Sequence, residues 1–89
     1  MSDESPANPP MGRLEAFEAG SRKVTIQTEF FARPAWRIET KIYVGGELKK
    51  VHTEEMTGVA ESELQTRLND FHQRKAGELW AKFQGLKKD

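Results

Sequence analysis

The chain has 89 residues, enough for one small domain, and a domain near this size buries only about 60 to 65% of its unfolded surface. It contains no cysteine, which excludes a disulfide, a thiolate metal site and a thiol nucleophile, so added stability would have to come from association. The 14 basic and 14 acidic residues cancel, leaving no global field toward nucleic acid or an anionic membrane, and no apolar run suits a secretory signal or a membrane span. The expected compartment is the cytoplasm.

Residues 1–12 place Pro6, Pro9 and Pro10 among serine, asparagine and aspartate, with too little apolar surface to offset the entropy of ordering. They are expected to form a disordered N-terminal tail, and residues 13–89 a single small α+β domain. A plain solubilising leader explains such a tail as well as a regulated arm does.

Residues 13–19 read Arg-Leu-Glu-Ala-Phe-Glu-Ala, with Leu14 and Phe17 spaced to share a helical face and Gly20 placed to stop it. The spacing predicts a short helix docked on the core; a strand pairing with the sheet is the other reading. Over residues 23–30 the chain alternates, Val24, Ile26, Thr28 and Phe30 against Lys23, Thr25, Gln27 and Glu29, which is the signature of a half-buried strand. Residues 31–35 form the connection, with Pro34 holding Arg33 extended.

From Trp36 the alternation resumes, Trp36, Ile38, Thr40, Ile42 and Val44 on one face and Arg37, Glu39, Lys41 and Tyr43 on the other. Gly45-Gly46 supplies a two-residue hairpin turn into a third strand ending near Glu55. Directly opposed residues share a face, so this loop arithmetic pairs Phe30 with Trp36, Thr28 with Ile38, Thr40 with Val51 and Ile38 with Thr53. Val51 then joins the apolar face. The other face reads as a charge ladder in which Glu29, Arg37 and Glu54 lie side by side, as do Gln27, Glu39 and His52.

Between about Gly58 and Gln84 the period becomes helical, with Ser62 and Gln65 in a capping box and Gly85 at the stop. Leu64, Leu68, Phe71, His72, Ala76, Leu79, Trp80 and Phe83 form its apolar face, which drifts round the helix. The expected architecture is α+β: a three-stranded antiparallel meander with the long C-terminal helix packed on one face, preceded by the short N-terminal helix. This α-β-β-β-α order resembles the double-stranded RNA-binding fold in topology. That resemblance implies duplex RNA binding through basic residues at the start of the last helix, where this chain carries Glu54, Glu55, Glu61 and Glu63.

The candidate metal ligands, His52, His72, Glu39, Glu54 and Glu55, have no ligand spacing within one element. Ser21 and Ser62 suit a turn and a cap rather than nucleophiles. No catalytic, cofactor-binding or metal-binding residue is therefore assigned, and the chain reads as a non-enzyme. Of the two sheet edges, the third strand is defended by Glu47, Lys49, Lys50, Glu54 and Glu55, whereas the first has only Glu29. The expected function is protein–protein interaction, with another protein or with a second copy. Its expected surface comprises Ile26 and Thr28 on the first strand, the Phe31, Arg33, Trp36 and Arg37 corner, and Trp80 and Phe83 on the helix. A nucleic-acid-binding domain is the alternative.

Overall fold

The computed structural model describes residues 6–87, with side chains through Lys82. Four antiparallel strands form one sheet in the order β1-β2-β3-β4: β1 (Arg13–Ala19), β2 (Arg22–Phe31), β3 (Arg37–Val44) and β4 (Glu47–Glu55). A 3-10 turn at Glu61–Glu63 leads into the helix α1 (Leu64–Lys87), which packs on one face of the sheet. No helix among the described residues is long and apolar enough to cross a membrane.

The first correction concerns residues 13–19, which form a strand and not a helix. β1 pairs along the whole of its length with β2, Arg13 opposite Thr28 and Phe17 opposite Val24. Leu14 and Phe17, assigned to one helical face, point to opposite faces of the sheet: Phe17 is half-buried on the helix side and Leu14 is 69% exposed. Pairing with β2 settles a choice that seven isolated residues cannot make, because local propensity is weak beside a full strand ladder. The element order is therefore four strands and a helix, and the α-β-β-β-α likeness to the duplex RNA-binding fold lapses.

The β2–β3 faces are as alternation requires. Val24 lies opposite Val44, Ile26 opposite Ile42, Thr28 opposite Thr40 and Phe30 opposite Ile38. The loop keeps its five-residue length but begins one residue later than expected, which moves the register by two residues and leaves every side chain on its face.

The Gly45-Gly46 turn also forms, with φ values of 63° and 87° that a β-carbon would strain. Val44 faces Glu47 and Tyr43 faces Leu48, and then a bulge intervenes, so that Ile42 faces Lys50. One extra residue reverses the strand beyond it. Val51, expected in the apolar face, is 45% exposed on the outer face. His52 and Glu54, expected in the outer ladder, turn toward the helix, where Glu54 lies 3.4 Å from Arg74. The outer face instead sets Glu29 opposite Glu39, with Arg37 2.9 Å from Glu39.

The core is concentrated at one end. Ile38, Met56, Leu64, Leu68 and Phe71 form a buried cluster against which Phe30, Trp36 and Val59 pack. Beneath the C-terminal half of α1, Val24, Ile26 and Ile42 are buried too, but Trp80 above them is 47% exposed.

The capping box is absent: Ala60 begins the turn with no side-chain hydrogen bond, and Ser62 lies inside it. Gln65 does something else. Its Oε1 accepts the Met11 N–H at 2.8 Å and its Nε2 donates to the Met11 carbonyl at 3.1 Å, while the Asn8 N–H donates to Glu61 at 2.9 Å. The described part of the expected tail, residues 6–12, is thereby held against the start of the helical region; residues 1–5 lie outside the described residues. The helix also continues past the expected stop at Gly85 to Lys87.

Candidate functional site

The fold separates the residues that sequence reasoning grouped together. Ile26 and Thr28 are completely buried in β2, which β1 converts from an edge into an interior strand. Strand addition at β2 is therefore blocked, and the sheet edges are β1 and β4. At the β2–β3 corner Phe31 and Arg37 form a directly opposed pair on the outer face, the guanidinium 4.8 Å from the ring centroid. Arg37 also donates to the Arg33 carbonyl. Trp36 turns inward and meets Phe30 edge-on at 5.8 Å. Trp80 belongs to neither group: it stands at the far end of α1, edge-on to Phe17 at 5.0 Å. The side chain of Phe83 lies outside the described residues.

Three arrangements could carry chemistry. The first is a buried polar chain. His72, completely buried, points Nδ1 at the Thr28 hydroxyl at 2.7 Å, and that hydroxyl lies 2.6 Å from the Thr40 hydroxyl. The other ring nitrogen, Nε2, is 2.8 Å from a carboxylate oxygen of Glu15, whose side chain is 58% exposed. With Nε2–H donating to Glu15, the Thr28 hydroxyl donating to Nδ1 and the Thr40 hydroxyl donating to Thr28, each polar atom of the row has a partner.

Carboxylate, imidazole and hydroxyl in a row is the order of a nucleophilic triad. Here both hydroxyls are sealed between sheet and helix, and a nucleophile must reach its substrate. The chain acts instead as a clamp joining β1, β2, β3 and α1. Sequence reading placed His72 on the apolar helix face but missed its partners, because Glu15 faces it only when β1 is a strand.

The second arrangement is a groove of about 220 Å³ between β1 and α1, lined by Glu15, Ala16, Phe17, Ile26, Ala76 and Trp80. It is an apolar shelf beside an edge strand. Its signal in the sequence, the Phe17 and Trp80 aromatics, was visible only as two unrelated residues.

The third is a groove of about 280 Å³ on the other flank of α1, floored by Ile42 and Leu79 and ringed by Lys50, His52, Lys75, Glu78 and Lys82. Burial first, then Lys75 and Lys50, hold the His52 imidazole below the ordinary histidine value of 6.5, with Glu78 pulling the other way. The unfolded chain then binds more protons than the folded one, so stability should fall as the pH drops below 6.5 and through the folded value. Urea midpoints measured between about pH 7 and 5 should show that slope, and His52→Gln should flatten it.

No family model, curated protein or solved structure matches this chain. Function must be read from these surfaces alone. Among the described residues, no group of three or more His, Asp or Glu side chains is placed to hold a metal ion.

Proposed function

We propose that the chain is a non-enzymatic protein-interaction domain that takes an extended segment of a partner at the outer edge of β1. The observation that carries this reading is the pairing of that edge with the Phe17–Trp80 shelf. β1 has a sheet neighbour on one side only, so main-chain donors and acceptors on its other side can bind a strand. Beside it, Trp80 is 47% exposed and rests on Phe17, giving an aromatic anchor of the kind that dominates interface energetics. Main-chain pairing supplies affinity and the shelf supplies selectivity. The Phe31–Arg37 pair lies on the outer face at the opposite end of β2 and is no part of this surface.

Nucleic acid is the competing reading, and the lysine-ringed groove favours it. Labelled duplex RNA and DNA titrated at low salt distinguish the two, since phosphate-driven binding is tight and falls steeply with salt. Little binding is expected. For the edge itself, a photoreactive side chain at Ala16 should crosslink a protein partner in cells, one at Lys41 in mid-sheet should not, and Trp80→Ala should weaken the Ala16 crosslink. Equal crosslinking at both positions, or none at Ala16, would overturn the edge reading.

A further inference from the structure

The opposite edge carries a separate message. We infer that β4 pairs with β4 of a second copy across a two-fold axis at His52, joining two four-stranded sheets into one. The residues that carry the inference are Lys49-Lys50-Val51-His52-Thr53-Glu54-Glu55, whose charges invert about the centre. Laid antiparallel on itself with His52 at the axis, this strand sets Lys49 opposite Glu55, Lys50 opposite Glu54, and Val51 opposite Thr53, and the symmetry repeats each pair.

The observed faces make this register consistent. Lys50, His52 and Glu54 lie on the helix side and Val51, Thr53 and Glu55 on the outer side, so the Lys50–Glu54 and Val51–Thr53 pairs each join residues of one face and both helices sit on the same side of the joined sheet. A slip by two residues sets His52 opposite Glu54 and Lys50 opposite Met56 in one direction, or His52 opposite Lys50 and Glu54 opposite Leu48 in the other, so the ion pairs on the helix side are lost. The bulge lies between Tyr43–Leu48 and Ile42–Lys50, so Lys49 sits in it, 3.3 Å from Glu47, while 50–55 run in continuous register with β3 and carry the pairing.

Charged residues on an edge strand ordinarily repel a second copy. Repulsion requires like charges at positions that an antiparallel copy brings together. Here the lysines sit at one end and the glutamates at the other, which attracts. His52 meets its own counterpart, and burial together with Lys50 and Lys75 favours its neutral form, so the meeting adds no charge repulsion at neutral pH. Val51, 45% exposed in the isolated chain, is covered. A two-fold contact is self-complementary and closes, so it gives a dimer and not a fibre. Because β4 and β1 are opposite edges, the dimer carries two outward β1 edges, and the contact is independent of the partner surface proposed above.

Strand pairing alone buries less than the roughly 1,200–2,000 Å² of a stable interface, so the dimer should be weak and concentration-dependent. Sedimentation of the intact chain over a wide concentration range should show reversible dimerisation that weakens with added salt. Lys49→Glu with Lys50→Glu makes the strand acidic, and Glu54→Lys with Glu55→Lys makes it basic; each variant should associate at least about tenfold more weakly. Mixed together, the two should form a one-to-one dimer, since every opposed pair is again of opposite charge. Circular dichroism checks that each is folded. Lys50→Glu alone repeats the test on an in-register residue while leaving the Glu54–Arg74 pair intact. A chain that stays monomeric throughout, a dimer indifferent to these reversals, or mixed variants that fail to pair would each overturn the inference.

Discussion

Thr28→Val should cost about 2–4 kcal/mol, although it exchanges one methyl-sized group for another on a strand that favours β-branched residues. The change removes the hydroxyl standing between Thr40 and His72. Thr40 and His72 then each lose a hydrogen-bond partner at a place water does not reach, because both residues are completely buried. Each stranded group costs about 1–3 kcal/mol, whereas replacing all the partners together can be nearly neutral. The companion variant is therefore Thr28→Val with Thr40→Val and His72→Leu. It should recover most of the loss, since Glu15, the remaining member, is exposed enough to be hydrated. Urea unfolding of both proteins measures this, and a triple variant as unstable as the summed single changes would show that the clamp is not what these residues supply.

Leu68→Ala should cost about 2–5 kcal/mol, a large part of the roughly 4–13 kcal/mol expected for a domain of this length. Leu68 is completely buried in the cluster of Ile38, Met56, Leu64 and Phe71, so its removal leaves a cavity lined on several sides. Leu79, on the same helix, is only half-buried at the edge of the lysine-ringed groove. Its replacement by alanine should cost less than half as much, because partial burial forfeits less transfer energy and leaves an open dent in place of a sealed void. Thermal unfolding of the two variants would establish whether the N-terminal half of α1 anchors the fold. Equal losses would mean that the core extends further along the helix than the cluster indicates.

The parts of this fold legible in the sequence were those written in unbroken alternation. In β2 and β3, each residue from Val24 to Phe30 and from Ile38 to Val44 lies on the face its parity gives it, and even a two-residue change of register left that result intact. β1 was illegible for the same physical reason: with Leu14 outward and Phe17 inward, it has no apolar face to betray a strand, and only pairing with β2 defines it. The orientation of β4 depended on one extra residue at the bulge, and nothing in Glu-Leu-Lys-Lys marks where it falls. The candidate surfaces inherited both gaps. Counting β2 as an edge directed attention to Ile26 and Thr28, which are core, and away from Glu15 and Ala16, which line the edge groove. Reading β4 in the unbulged register hid the proximity of His52 to Lys75.

The clamp between Glu15 and His72 spans 57 residues of chain, and synthesis is vectorial. At about 5–20 residues per second, some 3–11 s separate the appearance of the glutamate from that of its histidine. During that interval the strands can pair locally, yet the Thr28 and Thr40 hydroxyls and the apolar residues around them face solvent. α1 thus supplies the lid as well as the ligand for groups made earlier in the chain. A chain released before α1 would carry an uncovered sheet with two open edges, the very form most prone to join its neighbours. A stop codon placed between the Met56 and His72 codons should yield aggregate in place of a truncated domain.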